Sequence, residues 1–163
     1  MKMKMQTERD LISTCLALLV DEPVTLSAIE RKLVKPAQAS ALAIGQREVA
    51  AVRKAILRGT DPLGDAFSAI RSPQDRRATG AVYTPHSIVR SMMTWLSRQG
   101  DPARIVDPGA GSGRFILAAG EIFPKAHLVA VEMDPLAALM LRANLCVREI
   151  GRASCRERVF AGC

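Results

Sequence analysis

The chain has 163 residues, 48% of them hydrophobic and 24% charged, and 23 Lys and Arg against 16 Asp and Glu leave it at +7. That length holds one ordinary domain, or a small helical domain plus part of a larger one, and the basic balance permits a polyanionic partner. Cys15, Cys146, Cys155 and Cys163 fall in neither a zinc-ligand nor a disulfide-framework spacing, so no metal site or secreted scaffold is expected and a reducing cytoplasm is the expected compartment.

Residues 7–71 read as helical. In the first helix Leu11, Cys15, Leu18 and Leu19 recur at near-helical spacing, and Asp21-Glu22-Pro23 breaks it. Residues 11–20 are apolar but few, carry Ser13 and Thr14, and follow Glu8-Arg9-Asp10, which predicts a core helix and not a signal or membrane span. Thr25 is expected to cap a second helix carrying Ile29, Leu33 and Val34, stopped by Pro36. A third, over 46–57, sets Val49, Val52, Ile56 and Leu57 on one stripe with Arg47, Lys54 and Arg58 opposite; Gly59 and Asp61-Pro62 end it. That basic side fits a solvated face of an accessory bundle, or a helical DNA reader. A fourth helix over 63–70 runs into Ser72-Pro73, and the polar run Asp75-Arg76-Arg77-Ala78-Thr79-Gly80 reads as linker.

Next come Ala81-Val82-Tyr83-Thr84-Pro85, where Thr84 can cap a helix with Pro85 at its first position. That helix is predicted to bury Ile88, Val89, Met92, Met93 and Leu96, with Trp95 beside them, and to end at Gly100-Asp101-Pro102. Ala103-Arg104-Ile105-Val106 reads as a strand, and Asp107-Pro108-Gly109-Ala110-Gly111-Ser112-Gly113 as a glycine loop opening the helix that starts at Arg114. Glycines at alternate positions let the backbone turn sharply and approach a ligand, with the free N–H groups of the helix start aimed into the same space. A carboxylate opening the turn repels a pyrophosphate but suits a cationic or amine-bearing ligand, a description that S-adenosylmethionine fits. His127-Leu128-Val129-Ala130-Val131-Glu132 reads as a second strand ending in an acid, placed about 20–25 residues after the loop where a ribose-binding acid is expected. Asp134-Pro135 then reads as a helix cap with proline at the first position.

The segment Glu149-Ile150-Gly151-Arg152-Ala153-Ser154-Cys155-Arg156-Glu157-Arg158-Val159 resembles what one frame of a widely used sequencing adapter encodes, so natural sequence is expected to end near Arg148. Without residues 149–163, 20 basic against 14 acidic residues leave +6 and the basic character survives. The expected organisation is a helical region over 1–72, a linker over 73–80, part of a cofactor-binding domain over 81–148 and a non-native tail over 149–163. The fold class is α/β, an all-α region followed by the first two parallel strands and flanking helices of a Rossmann-like sheet with right-handed crossovers.

Three motifs in order, Gly80-Ala81-Val82-Tyr83-Thr84-Pro85, then Asp107 to Gly113, then Val131-Glu132-Met133-Asp134-Pro135, resemble the start of the catalytic domain of N6-adenine DNA methyltransferases, the group containing type I modification subunits and related type II enzymes. The resemblance covers roughly residues 77–145. It implies S-adenosylmethionine as cofactor, with Thr84 on its methionine end, Asp107 on its amino group, Pro108, Gly109, Gly111 and Gly113 shaping the loop, and Glu132 on the ribose hydroxyls. Tyr83 either packs under the cofactor or fills the core, and Asp134 is a ligand or a cap. His86 and His127 lack a partner motif and are read as structural.

The resemblance further implies double-stranded DNA as partner, with specificity or restriction subunits, no membrane, and methyl transfer to adenine N6. In that family an Asn/Asp-Pro-Pro-Tyr/Phe loop holds the base extracted from the duplex, an extraction costing roughly a few kcal/mol. No such tetrapeptide occurs here, so no catalytic residue is assigned and no turnover is expected of this polypeptide alone. A two-stranded sheet with an unpaired inner edge predicts poor solubility and weak cofactor binding. Competing readings are a methyltransferase acting on RNA, protein or a small molecule, a helical DNA-binding module over 7–71, and a nicotinamide-binding Rossmann protein, whose Gly-x-Gly-x-x-Gly spacing Gly109, Gly111 and Gly113 do not match.

Overall fold

The computed structural model describes residues 5–20, 26–38, 44–78, 82–149 and 157–161. Helix α1, Glu8–Leu18, starts where Thr7 and Asp10 each accept the other's backbone N–H, a reciprocal capping box. Helix α2, Ala28–Val34, uses the same device with Ser27 and Glu30, and Pro36 turns its end into a short 3-10 stretch. Ser27 thus replaces the expected Thr25 as cap; Thr25 and Asp21-Glu22-Pro23 lie outside the described residues.

Helix α3, Gln46–Leu57, ends at Gly59, whose φ of 80° only glycine adopts freely. Its buried face is Val52 and Ile56, with Val49 half-buried, while Leu57 at the carboxyl end is exposed, against expectation. Arg47, Lys54 and Arg58 are all exposed. Helix α4, Pro62–Ile70, is capped by Asp61, which accepts from the Gly64 amide at 2.9 Å. Within the expected linker, Pro73–Ala78 forms a short helix, α5.

Helix α6, His86–Leu96, is where the sequence reading needs most correction. Pro85 is the N-cap residue and Thr84 makes no side-chain cap bond. Of the predicted buried face only Val89 and Met93 are buried; Ile88 and Met92 are exposed and Trp95 is 63% exposed. Periodicity shows which residues share a face, not how many neighbours it meets, and α6 packs mainly on one helix, α7, Arg114–Ile122.

Strand β1, Arg104–Asp107, pairs parallel with β2, His127–Glu132, in the register Arg104 to His127 through Asp107 to Ala130. This is the predicted α/β start, with α7 as the crossover. A third strand, β3, Glu157–Ala161, pairs parallel with the other edge of β2, so the order is β1-β2-β3 and the sheet exceeds the two predicted strands. β3 falls in the segment that resembles an adapter-encoded tail. Among the described residues no strand pairs with the other edge of β1, and Val106 there is exposed.

Helix α8, Pro135–Val147, ties the two regions together. Leu136, Leu139, Met140, Ala143 and Val147 join the helical core of Leu11, Leu18, Val34, Ile56, Leu63 and Phe67. Leu141 and Leu145 join the sheet core of Ile116, Phe123, Leu128 and Ala130. A helix apolar all round must be buried all round, and each large side chain so buried stabilises by roughly 1.5–3 kcal/mol. Cys15 is buried, and Cys146 Sγ donates to the Leu18 carbonyl at 3.7 Å.

The fully buried Glu30 carboxylate receives Arg142 Nε from α8 at 2.8 Å. Burial pushes its pKa up, but Arg142 and Ser27 outweigh that and hold it below the ordinary 4.5. Its contribution is therefore present above pH 4.5 and lost as pH falls through the lowered value. Arg142→Met strands a buried charge and is expected to destabilise by about 3 kcal/mol at pH 7, the deficit shrinking below pH 4.5, as read by urea unfolding at both pH values.

Candidate functional site

A cavity of about 450 Å³ opens at the carboxyl ends of β1 and β2. The loop 107–112 forms one wall, Tyr83 and Thr84 another, and Glu132, Met133 and Asp134 a third, with Phe67 from α4 closing the base. Every residue expected to bind a cofactor lines it except Gly113. Gly113 sits behind the loop as N-cap of α7, at φ 99°, where an added Cβ would lie 2.5 Å from Leu141 Cδ1.

The loop is held by the acid that ends β2. Glu132 accepts from the Gly111 amide at 2.7 Å through Oε2 and from the Asp134 amide at 2.8 Å through Oε1. The Ala110 amide donates to Val131 O, tying the loop to the sheet. The Gly111 amide is therefore turned to the protein's own carboxylate, and the loop is not a cradle of free N–H donors for a phosphate. Each Glu132 oxygen keeps a further lone pair for an incoming hydroxyl.

Asp107 differs. Oδ1 has one long contact with the Gly109 amide, 3.4 Å, and Oδ2 is buried with no hydrogen-bond partner. Burial pushes its pKa above the ordinary 3.8, with the Gly109 amide pulling it partly back and the charge of Glu132 adding to the rise. Such an orphaned oxygen is what a cationic N–H donor would satisfy.

Asp134 is the helix cap the sequence suggested: Oδ1 accepts from Leu136 and Ala137 amides and Oδ2 from Arg71. Arg71 also bonds Glu8 and lies over the Phe67 ring, 4.5 Å from its centre. The Tyr83 ring stands 5.5 Å from Phe67 and 5.2 Å from the Arg114 guanidinium, and its buried hydroxyl has no partner. Burial, with Asp61, Glu132 and Asp134 nearby, pushes that hydroxyl's pKa up. Thr84 gives its carbonyl to Arg114 at 3.0 Å. Sequence alone assigns no site role to Phe67, Arg71, Ser112 or Arg114: the fourth helix, the glycine loop and the helix start at Arg114 are legible, but not that Phe67 and Arg71 pack beside a loop far along the chain. His86 and His127 do not line the cavity. Among the described residues no group of three His, Cys, Asp or Glu could hold a metal ion, and no helix is long and apolar enough to cross a membrane.

A parallel sheet with a glycine loop after its first strand, an acid closing its second and a cavity at both carboxyl ends defines the opening of a Rossmann-like α/β module. The chain belongs to the N-6 DNA methylase family, whose model matches residues 58–159. It is similar to the type II methyltransferase M.XamI of Xanthomonas campestris pv. amaranthicola, 60% identical over 148 residues, and spans 90% of its own length but 27% of that relative's. No solved structure matches it.

Gly113→Ala is expected to lower stability by about 2–4 kcal/mol in chemical denaturation, because a left-handed backbone costs a side chain about 1–2 kcal/mol and the methyl must displace Leu141. Asp107→Asn is expected to do the reverse. Since its raised pKa makes the charged carboxyl oppose folding above that value, the variant melts higher at pH 7, and the difference vanishes as pH falls below 3.8.

Proposed function

We propose that the cavity binds S-adenosylmethionine and that the chain is the cofactor-binding portion of a DNA adenine-N6 methyltransferase of restriction-modification type. The observation that carries this is the unpartnered Asp107 carboxylate oxygen beside a loop whose own amide is committed to Glu132. Asp107 and Glu132 face Arg114 among the lining residues, and Arg114 is itself turned to Asp61 and Asp65, so the cavity favours a cation over a pyrophosphate. The cofactor supplies a methyl group on a sulfonium.

Of this chain's residues, Asp107 accepts from the amino group, Glu132 accepts from the ribose hydroxyls, and Tyr83 and Phe67 give the apolar wall. Gly109 and Gly111 leave room for close approach, Pro108 stiffens the turn, and Thr84 borders the methionine end; Asp134 acts through its cap and not as a ligand. Membership of the N-6 DNA methylase family and similarity to a type II methyltransferase support adenine in double-stranded DNA as the substrate of the whole enzyme. The Asn/Asp-Pro-Pro-Tyr/Phe tetrapeptide is absent from the sequence, so base capture and turnover are not expected of this chain.

Titration calorimetry of the chain with S-adenosylmethionine tests the reading. Binding is expected at a dissociation constant weaker than about 10 μM, lost in Asp107→Asn and weakened about tenfold in Glu132→Gln. It should also weaken as pH falls through the raised Asp107 pKa, where the acceptor takes a proton. Equal binding by Asp107→Asn, or preference for a nicotinamide dinucleotide, would overturn it.

A further inference from the structure

The most constrained polar group near the cavity belongs to neither the loop nor the sheet. Asp61, the cap of α4, is 4% exposed, and both its oxygens are fully engaged. Oδ2 accepts from Ser112 Oγ at 2.5 Å and Arg114 Nε at 2.7 Å. Oδ1 accepts from the Gly64 amide at 2.9 Å and Asn144 Nδ2 at 3.3 Å, and the same Asn144 amide reaches Ser112 O at 2.9 Å. Arg114 carries the grip onward to Thr84 O and Asp65 and lies over Tyr83. One carboxylate of the helical region thereby fixes the last turn of the glycine loop, the first turn of α7 and the segment that carries Tyr83 and Thr84.

Gly64 is shaped around this contact. A Cβ there would overlap the Asp61 carboxylate and stand 2.7 Å from Ser112 Oγ, so α4 keeps glycine in its first turn despite its poor helix propensity.

We propose that Asp61 is a positioning residue for the cofactor loop, and that the helical region it belongs to is a built-in part of the cofactor site. The inference rests on the S-adenosylmethionine reading for its binding arm only. Arg114 Nε meets one oxygen and the Gly64 and Asn144 amides the other, all of them donors that need an acceptor, so an amide in either orientation turns an NH₂ onto at least one N–H. A buried acid that merely stabilised the helices would not set the geometry of the loop.

The test compares the full chain with Asp61→Asn, Ser112→Ala and a control, Val52→Ala, which cuts the helical core away from the loop. Two quantities are read: the dissociation constant for S-adenosylmethionine, and amide exchange without ligand at Gly111, Gly113 and Leu117, whose N–H groups bond Glu132, Ala110 and Gly113. Asp61→Asn is expected to weaken binding at least tenfold and speed loop exchange at least tenfold; Ser112→Ala, which still leaves Arg114 held, moves both about threefold. Val52→Ala lowers the melting temperature and leaves both within twofold. Unchanged loop exchange in Asp61→Asn, or an equal effect in Val52→Ala, overturns the proposal. Should Asp61→Asn not fold, Ser112→Ala against Val52→Ala decides it by the same two readings. Should the wild-type chain ignore S-adenosylmethionine, the functional reading falls while loop exchange still decides the role of Asp61.

Discussion

The structure depends on α8 having no solvent face. Its thirteen residues are apolar or small on nearly every side, and they fill two cores at once, one among the amino-terminal helices and one under the sheet. With the buried Glu30 to Arg142 pair and the Asn144 amide on the same helix, neither region can be shifted without emptying the other's interior. That constraint brings Phe67 to the wall of the cavity and Asp61 to Ser112 of the loop that lines it, 51 residues further along the chain.

What was legible in the sequence was local chemistry. An acid at the end of each strand, glycines at the turn and proline after Asp134 each act through neighbours within a few residues, so pattern alone placed β1, β2, the loop and the capped start of α8. Failures came where a neighbour far along the chain decides. Thr84 and Pro85 read as cap and first residue, yet the helix begins one residue later and the Thr84 carbonyl is taken by Arg114. Ile88, Met92 and Trp95 were expected to be buried beside Val89 and Met93 but stay exposed. Asp61 bonds partners 51, 53 and 83 residues away, and no periodicity records such a pairing. β3 lacks the apolar run that announced β2 and was hidden by the adapter resemblance of its segment.

The charge distribution resolves an apparent conflict. The chain is strongly basic, yet the cavity presents Asp107 and Glu132 with little positive charge facing them. Arg114 and Arg71 are spent on Asp61, Asp65, Glu8 and Asp134, which removes the nearest cations from the orphaned oxygen. Exposed charges such as Arg47, Lys54 and Arg58 act through water and are screened within roughly 8 Å at physiological salt. A buried carboxylate acts at contact in a medium of lower dielectric, where an unmatched charge costs more and a matched one is stronger. A basic surface and an acidic cavity can therefore coexist in one small molecule without either weakening the other, provided the arginines between them are pinned elsewhere. Asp61 does that pinning for Arg114, so the clamp which shapes the loop also keeps its floor negative.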